Sequence, residues 1–194
     1  MKFVASKDAP DIPLEILEAQ ESDELVFFCG AGVSYPSGLP DFDKLVDDVY
    51  VALNEKPDNL EKEAIESHFY DRALGLLESR LQGKSQTLNH QVRKEIIKRL
   101  SISNAADLST HRALLELSKT KNDRYRLVTT NVDHCFLNTN LVSWKHIDAA
   151  SKLPISKPHK WESIVHLHGI IDESQDAEGI NLVFTSGDFG SAFN

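Results

Sequence analysis

The sequence predicts an α/β fold with a mostly parallel sheet, and three observations carry that expectation. Leu25-Val26-Phe27-Phe28-Cys29 is an unbroken apolar run that stops at Gly30-Ala31-Gly32-Val33-Ser34. Two later β-rich runs, Arg126-Leu127-Val128-Thr129-Thr130-Asn131 and Ile164-Val165-His166-Leu167-His168-Gly169, also end on polar residues or glycine. Between the first two runs, from 43 to 120, apolar residues recur at helical spacing. Strands separated by helices indicate parallel pairing.

In chain order, Asp11 and Pro13 suit a helix start, and Leu14, Ile16 and Leu17 supply an apolar side. The strand and Gly-rich turn follow, and glycine lets a backbone turn tightly. From Asp43, Leu45, Val49 and Leu53 recur every four residues with Val46 and Tyr50 beside them, until Pro57 and Asp58 break the pattern. Leu60, Ala64, Ala73, Leu77 and Leu81 predict one longer helix ending near Gly83. Leu88, Val92, Ile96 and Leu100 predict another, with Arg93, Lys94, Lys98 and Arg99 on a solvated face. Thr110 is placed to cap a helix over His111 to Ser118. Asn181-Leu182-Val183-Phe184-Thr185 reads as a further strand, with a helix start near Phe189.

Composition bounds the function. With 194 residues and 41% hydrophobic content, the chain can bury a real core. A formal charge of −9 argues against a broad nucleic-acid surface. The two cysteines, Cys29 and Cys135, sit in apolar, strand-like surroundings with no metal-ligand spacing, so they read as buried free thiols in a reducing compartment. Met1 to Pro10 has no apolar run of signal-peptide type, and no stretch reaches membrane-span length. The expectation is a cytoplasmic protein with no membrane partner.

In parallel sheets the ligand crevice lies beyond the carboxyl ends of the strands. That rule gathers Gly30 to Ser34, Asn131 with Asp133, and His168. Each has a plainer alternative. The Gly-rich turn can be structural, Asn131 and Asp133 can form an Asx turn, and His168 can be a satisfied structural histidine. His68, His90, His111, His134, His146 and His159 show no pattern and receive no role. His166 is either a support for the site or, more plainly, a packing residue.

Gly30-Ala31-Gly32-Val33-Ser34 with Gly38-Leu39-Pro40-Asp41-Phe42 resembles the nicotinamide-dinucleotide motif of the sirtuin family. His111 to Leu117, then Thr129-Thr130-Asn131-Val132-Asp133, resembles the family's helix and its Thr-Gln-Asn-Ile-Asp strand end, and Leu167-His168-Gly169 its catalytic His–Gly. The likeness covers roughly residues 24 to 190. It departs from typical sirtuins in three places. No four-cysteine zinc module follows the His–Gly, Asp43 stands where the family has Arg, and Thr130 stands where it has Gln. These features resemble the zinc-less SIR2-like domains of prokaryotic anti-phage defence proteins, which consume NAD.

The resemblance implies a Rossmann-like single NAD-binding domain over 1–194, with a helical insert at 43–120 and at least one more strand and helix beyond Asn194. It implies an NAD glycohydrolase acting by NAD depletion, with homo-oligomerisation and a fused or separate sensor domain. An NAD-dependent deacylase or ADP-ribosyltransferase, or a non-catalytic NAD or ADP-ribose sensor, are the alternatives. The implied roles place the diphosphate on the amides of Gly30, Ala31, Gly32 and Ser34, with Ser34 also near phosphate. Asn131 holds ribose hydroxyls or the attacking water, and His168 is the general base. Asp133 accepts from the nicotinamide carboxamide, and Phe42 covers the sugar. Asp41 is equally well explained as a helix N-cap.

No zinc is expected, because two separated cysteines and isolated histidines do not build a closed tetrahedral site. Elemental analysis of the purified protein should find well under one zinc per chain; about one tightly held zinc would overturn this and remove the distinction from typical sirtuins.

Overall fold

The computed structural model describes residues 2–3, 11–84, 90–103, 106–149, 163–172 and 181–192. A two-residue antiparallel pair, β1 (Lys2–Phe3) and β2 (Ile12–Pro13), precedes helix α1 (Leu14–Glu21). Among the described residues the central sheet has four strands: β3 (Phe27–Cys29), β4 (Leu127–Thr129), β5 (Ile147–Ala149) and β6 (Ile164–His166). Their order is β3-β4-β6-β5 and every pairing is parallel. Cys29 stands opposite Thr129, and Thr129 opposite His166, so three strands end level with one another.

Among the described residues five α-helices lie between β3 and β4: α2 (Phe42–Ala52), α3 (Asn59–Glu66), α4 (Tyr70–Lys84), α5 (Gln91–Arg99) and α6 (Ser109–Ser118). The Asp41 carboxylate caps α2 by accepting from the Lys44 amide at 2.9 Å, and the helix then buries Leu45, Val46, Val49 and Tyr50. Asp58 and Glu61 form a reciprocal capping box on α3. The single long helix expected over Leu60 to Gly83 is two helices, because the chain turns at Ser67 and His68, whose φ is +60°. Leu45, Val49, Leu74, Leu77 and Ile96 form one apolar cluster that also takes in Val132, Leu182 and Phe184 beyond the strand ends. A second cluster packs Leu115 of α6 and Phe136 of α7 (Cys135–Asn138) on Cys29, Leu127 and Ile164 of the sheet.

Several expectations are corrected. Thr110 lies inside α6, and Asp107 Oδ1 accepts from the Ser109 amide at 2.9 Å instead. Arg93 is buried, not solvated, because Glu78 and Asp188 neutralise it. Asn181 to Thr185 is irregular: Val183 N donates to His168 O at 2.9 Å, one bond rather than a ladder, and α8 (Ser186–Ala192) starts three residues before Phe189. Strand β5 carries Asp148 at its centre and gives no apolar run to read. Cys135 opens a helix rather than lying in a strand; both cysteines are buried and free. Leu88, His159, and the residues between Asp172 and Asn181 lie outside the described residues, as do Phe193 and Asn194. Among the described residues no helix is long and apolar enough to cross a membrane.

A buried carboxylate ties α3 to α4. Glu61 has 0% exposure and receives Arg80 Nε at 2.7 Å and the Asp58 amide at 2.9 Å. Removing one partner of such a pair leaves an uncompensated buried charge. Arg80→Met should therefore cost about 3 kcal/mol in urea unfolding; a loss below about 0.5 kcal/mol would show that Glu61 needs no counter-charge.

Candidate functional site

The three level strand ends converge on one cavity of about 180 Å³. Ala31, Ser34, Asp41, Phe42, Asn131, Asp133 and His168 all line it, with Leu39, Leu45, Leu100, Val183, Phe184 and Phe189 among the apolar wall residues. Gly30 and Gly32 sit at its edge rather than in its lining. Gly30 precedes a 3-10 turn over Ala31–Val33, and its carbonyl is held by the Asn131 side chain. Neither glycine has a positive φ, and an added Cβ would meet only Thr130 Oγ1 at 3.8 Å at Gly30 and nothing within 4 Å at Gly32. Internal packing does not demand glycine here, so what the missing side chains preserve is open approach to the backbone. Among the described residues no carbonyl accepts from the Ala31 or Gly32 amide.

The polar floor is organised around Ser34 Oγ. It donates to Asp133 Oδ2 at 2.8 Å and accepts from Asn131 Nδ2 at 3.0 Å. With its proton on Asp133, its 3.2 Å contact to His111 Nε2 requires that nitrogen to be the donor. One hydrogen and two lone pairs are thus all used, so Ser34 holds its neighbours and has nothing left for a phosphate. Asn131 Nδ2 also donates to Gly30 O at 3.1 Å, which spends both amide hydrogens and leaves Oδ1 as the group free to act, an acceptor. Asp133 Oδ1 takes the Cys135 amide at 2.9 Å.

His168 is half-buried, and its ring lies T-shaped to that of Phe189, with centroids 5.0 Å apart and planes at 88°. Burial pulls its pKa below the ordinary histidine value, against a smaller opposing effect from a hydrogen bond to the Thr130 backbone. The imidazole is therefore neutral near pH 7. His166 is fully buried, and burial pushes its pKa down to about 4. Its neutral Nδ1–H donates to Asn131 O at 2.8 Å, so it supports the site beyond mere packing.

Sequence reasoning missed His111, Phe184 and Phe189. His111 gave no signal except its place in the motif-bearing helix; it is 0% exposed, its ring packs on Phe136, and burial lowers its pKa against the opposing pull of Asp133. Phe184 was hidden by reading Asn181 to Thr185 as a strand, and Phe189 stood only at an expected helix start. His111, Asp133 and Cys135 bring ligand-type atoms within 4.8 Å of one another. Ser34 already bonds two of the three, and burial together with Asp133 raises the Cys135 thiol pKa, which keeps that thiol protonated. Asp41, with Oδ1 committed to the α2 cap, lies exposed on the rim.

The turn carrying His168 depends on Gly169, which has φ +85° and where a Cβ would lie 2.9 Å from Asn181 O and 3.0 Å from Leu182 Cδ2. Gly38 has a similar φ of +88° but open space around it. Gly38→Ala should cost about 1 kcal/mol from backbone strain alone. Gly169→Ala should cost about 2 kcal/mol or more, strain and displacement together. Thermal unfolding of both variants checks the ranking, and equal losses would refute it.

No protein-family model matches the chain. The chain is similar to the uncharacterized protein y4cA of Sinorhizobium fredii (strain NBRC 101917 / NGR234), with 30% identity over an alignment of 191 residues that covers 95% of this chain and 16% of that protein. It thus spans only about a sixth of the length of the relative it matches.

Proposed function

We propose that the chain is a SIR2-like NAD glycohydrolase domain, releasing nicotinamide and ADP-ribose from NAD. The observation that carries this reading is the convergence of the sirtuin-like segments, far apart in sequence, on one cavity with a neutral histidine and an acceptor-only asparagine oxygen facing it. On this reading the five-helix stretch is the insert of the zinc-less branch. The parent protein is a cytoplasmic anti-phage effector, homo-oligomeric and coupled to a sensor region elsewhere.

Breaking the nicotinamide–ribose bond leaves an oxocarbenium-like sugar and needs a water directed at its anomeric carbon. The free Ala31 and Gly32 amides receive the diphosphate. Asn131 Oδ1 accepts from a ribose hydroxyl or from that water. Neutral His168 takes the proton released as the new C–O bond forms. Asp133 accepts from the carboxamide of the leaving nicotinamide. Phe42, its ring 5.7 Å from that of Tyr70, screens the sugar from bulk water.

Asn131→Ala and His168→Ala should each lower nicotinamide release by about 100-fold or more, with the double variant little worse. Because burial depresses the His168 pKa, activity should hold through pH 7 and fall only as pH drops below about 6.5, where the imidazole charges. Asn131→Ala also removes two buried hydrogen bonds and should cost about 1–2 kcal/mol of stability, so each variant is scored with its melting temperature. Folded variants that release nicotinamide at the parental rate would overturn the assignment. Adding an acyl-lysine peptide separates a deacylase, and binding without turnover a sensor.

A further inference from the structure

Arg93 of α5 is buried and makes contacts that no stability argument for α5 alone requires. Its Nε donates to Glu78 Oε1 of α4 at 2.9 Å, and its NH1 donates to the Leu182 carbonyl at 3.2 Å. Its NH2 bonds Asp188 Oδ1 of α8. The other Asp188 oxygen accepts from the amides of Phe184 at 3.0 Å and Thr185 at 2.8 Å, closing the start of α8. Burial would raise the Asp188 pKa, but Arg93 and those amides outweigh it and hold the carboxylate ionised. The next residue is Phe189, whose ring packs T-shaped against that of His168. Among the described residues 181–185 has no strand ladder, and Arg93 supplies polar fixing at the Leu182 carbonyl.

We infer that Arg93 is a positioning residue: by holding Leu182 O and Asp188 it seats Phe189 against His168 and couples the α4–α5 layer to the imidazole. The arrangement is planar and forked, which arginine satisfies and lysine satisfies only in part. Released from Asp188, α8 would let Phe189 move off the ring and admit water. The groups around His168 make this readable. Asp41 and Asp133 are the carboxylates sharing its cavity, Thr130 contributes backbone, α8 contributes Phe189, and Asp188 is turned to Arg93. Loss of burial should therefore move the His168 titration upward, toward the ordinary histidine value.

The inference rests on the proposed reaction only for its meaning in catalysis, so its main test uses no NAD. The His168 imidazole is titrated by NMR in the wild-type chain and in Arg93→Met, Arg93→Lys and Asp188→Asn. Arg93→Met and Asp188→Asn should raise the midpoint by about half a unit or more, with Arg93→Lys falling between them and wild type. A folded Arg93→Met with an unmoved midpoint would overturn the proposal. If Arg93→Met fails to fold, Asp188→Asn decides in the same way. Nicotinamide release measured in parallel should fall about tenfold in kcat for Arg93→Met with KM changed less than threefold. A wild type that releases no nicotinamide, alongside a shifted His168 midpoint, would remove the glycohydrolase reading and leave the positioning role standing.

Discussion

Parallel strands that share a register deliver their carboxyl ends to one edge, and that constraint governs the candidate site. Cys29, Thr129 and His166 lie level across the sheet, so the segments that follow them emerge side by side. Residues separated by a hundred positions or more become neighbours without any long-range motif being needed: Asn131 Nδ2 reaches Gly30 O across a sequence separation of 101. Each strand is only three residues long. The sheet is therefore a short scaffold, and the apolar cluster of Leu115 and Phe136 on Cys29, Leu127 and Ile164 packs against it.

Above that edge, a single hydroxyl organises the polar groups. Ser34 Oγ joins the turn after β3 to Asn131 and Asp133 after β4 and to His111 of α6. A buried polar network is stabilising only when its members are satisfied, and here nearly every capacity is used. Within the described residues the exception in this cluster is His111 Nδ1, which is buried without a hydrogen-bond partner. The consequence for chemistry is subtractive. Once internal bonds are counted, Asn131 offers an acceptor rather than a donor, and Ser34 offers neither.

The back wall is built differently from the floor. Leu182, Phe184 and Phe189 are held by apolar burial and by Arg93, not by strand pairing. Such a wall can lie close to an imidazole without competing for its hydrogen bonds. It lowers the polarity around His168, which is what keeps the ring neutral. His166, two residues earlier at the end of β6 and more deeply buried, shows the same effect carried further.

The sequence by itself determined the α/β class, the parallel arrangement, and the three strand-end segments that face the cavity. Those features depend on local patterning, apolar runs ending at Gly30, Asn131 and His168, and local patterning is what a single chain displays. The capping role of Asp41 was also legible, because N-caps act within one turn. Only the tertiary structure decided the rest. His111 resembles any other histidine until α6 brings it to Ser34. Arg93 sits in a basic run that reads as surface until Glu78 and Asp188 enclose it. Leu182 to Thr185 has strand-like composition, yet its backbone is met by the His168 carbonyl, the Arg93 guanidinium and the Asp188 carboxylate rather than by a neighbouring strand. Burial and charge pairing are properties of what surrounds a residue, and those surroundings exist only once the chain has folded.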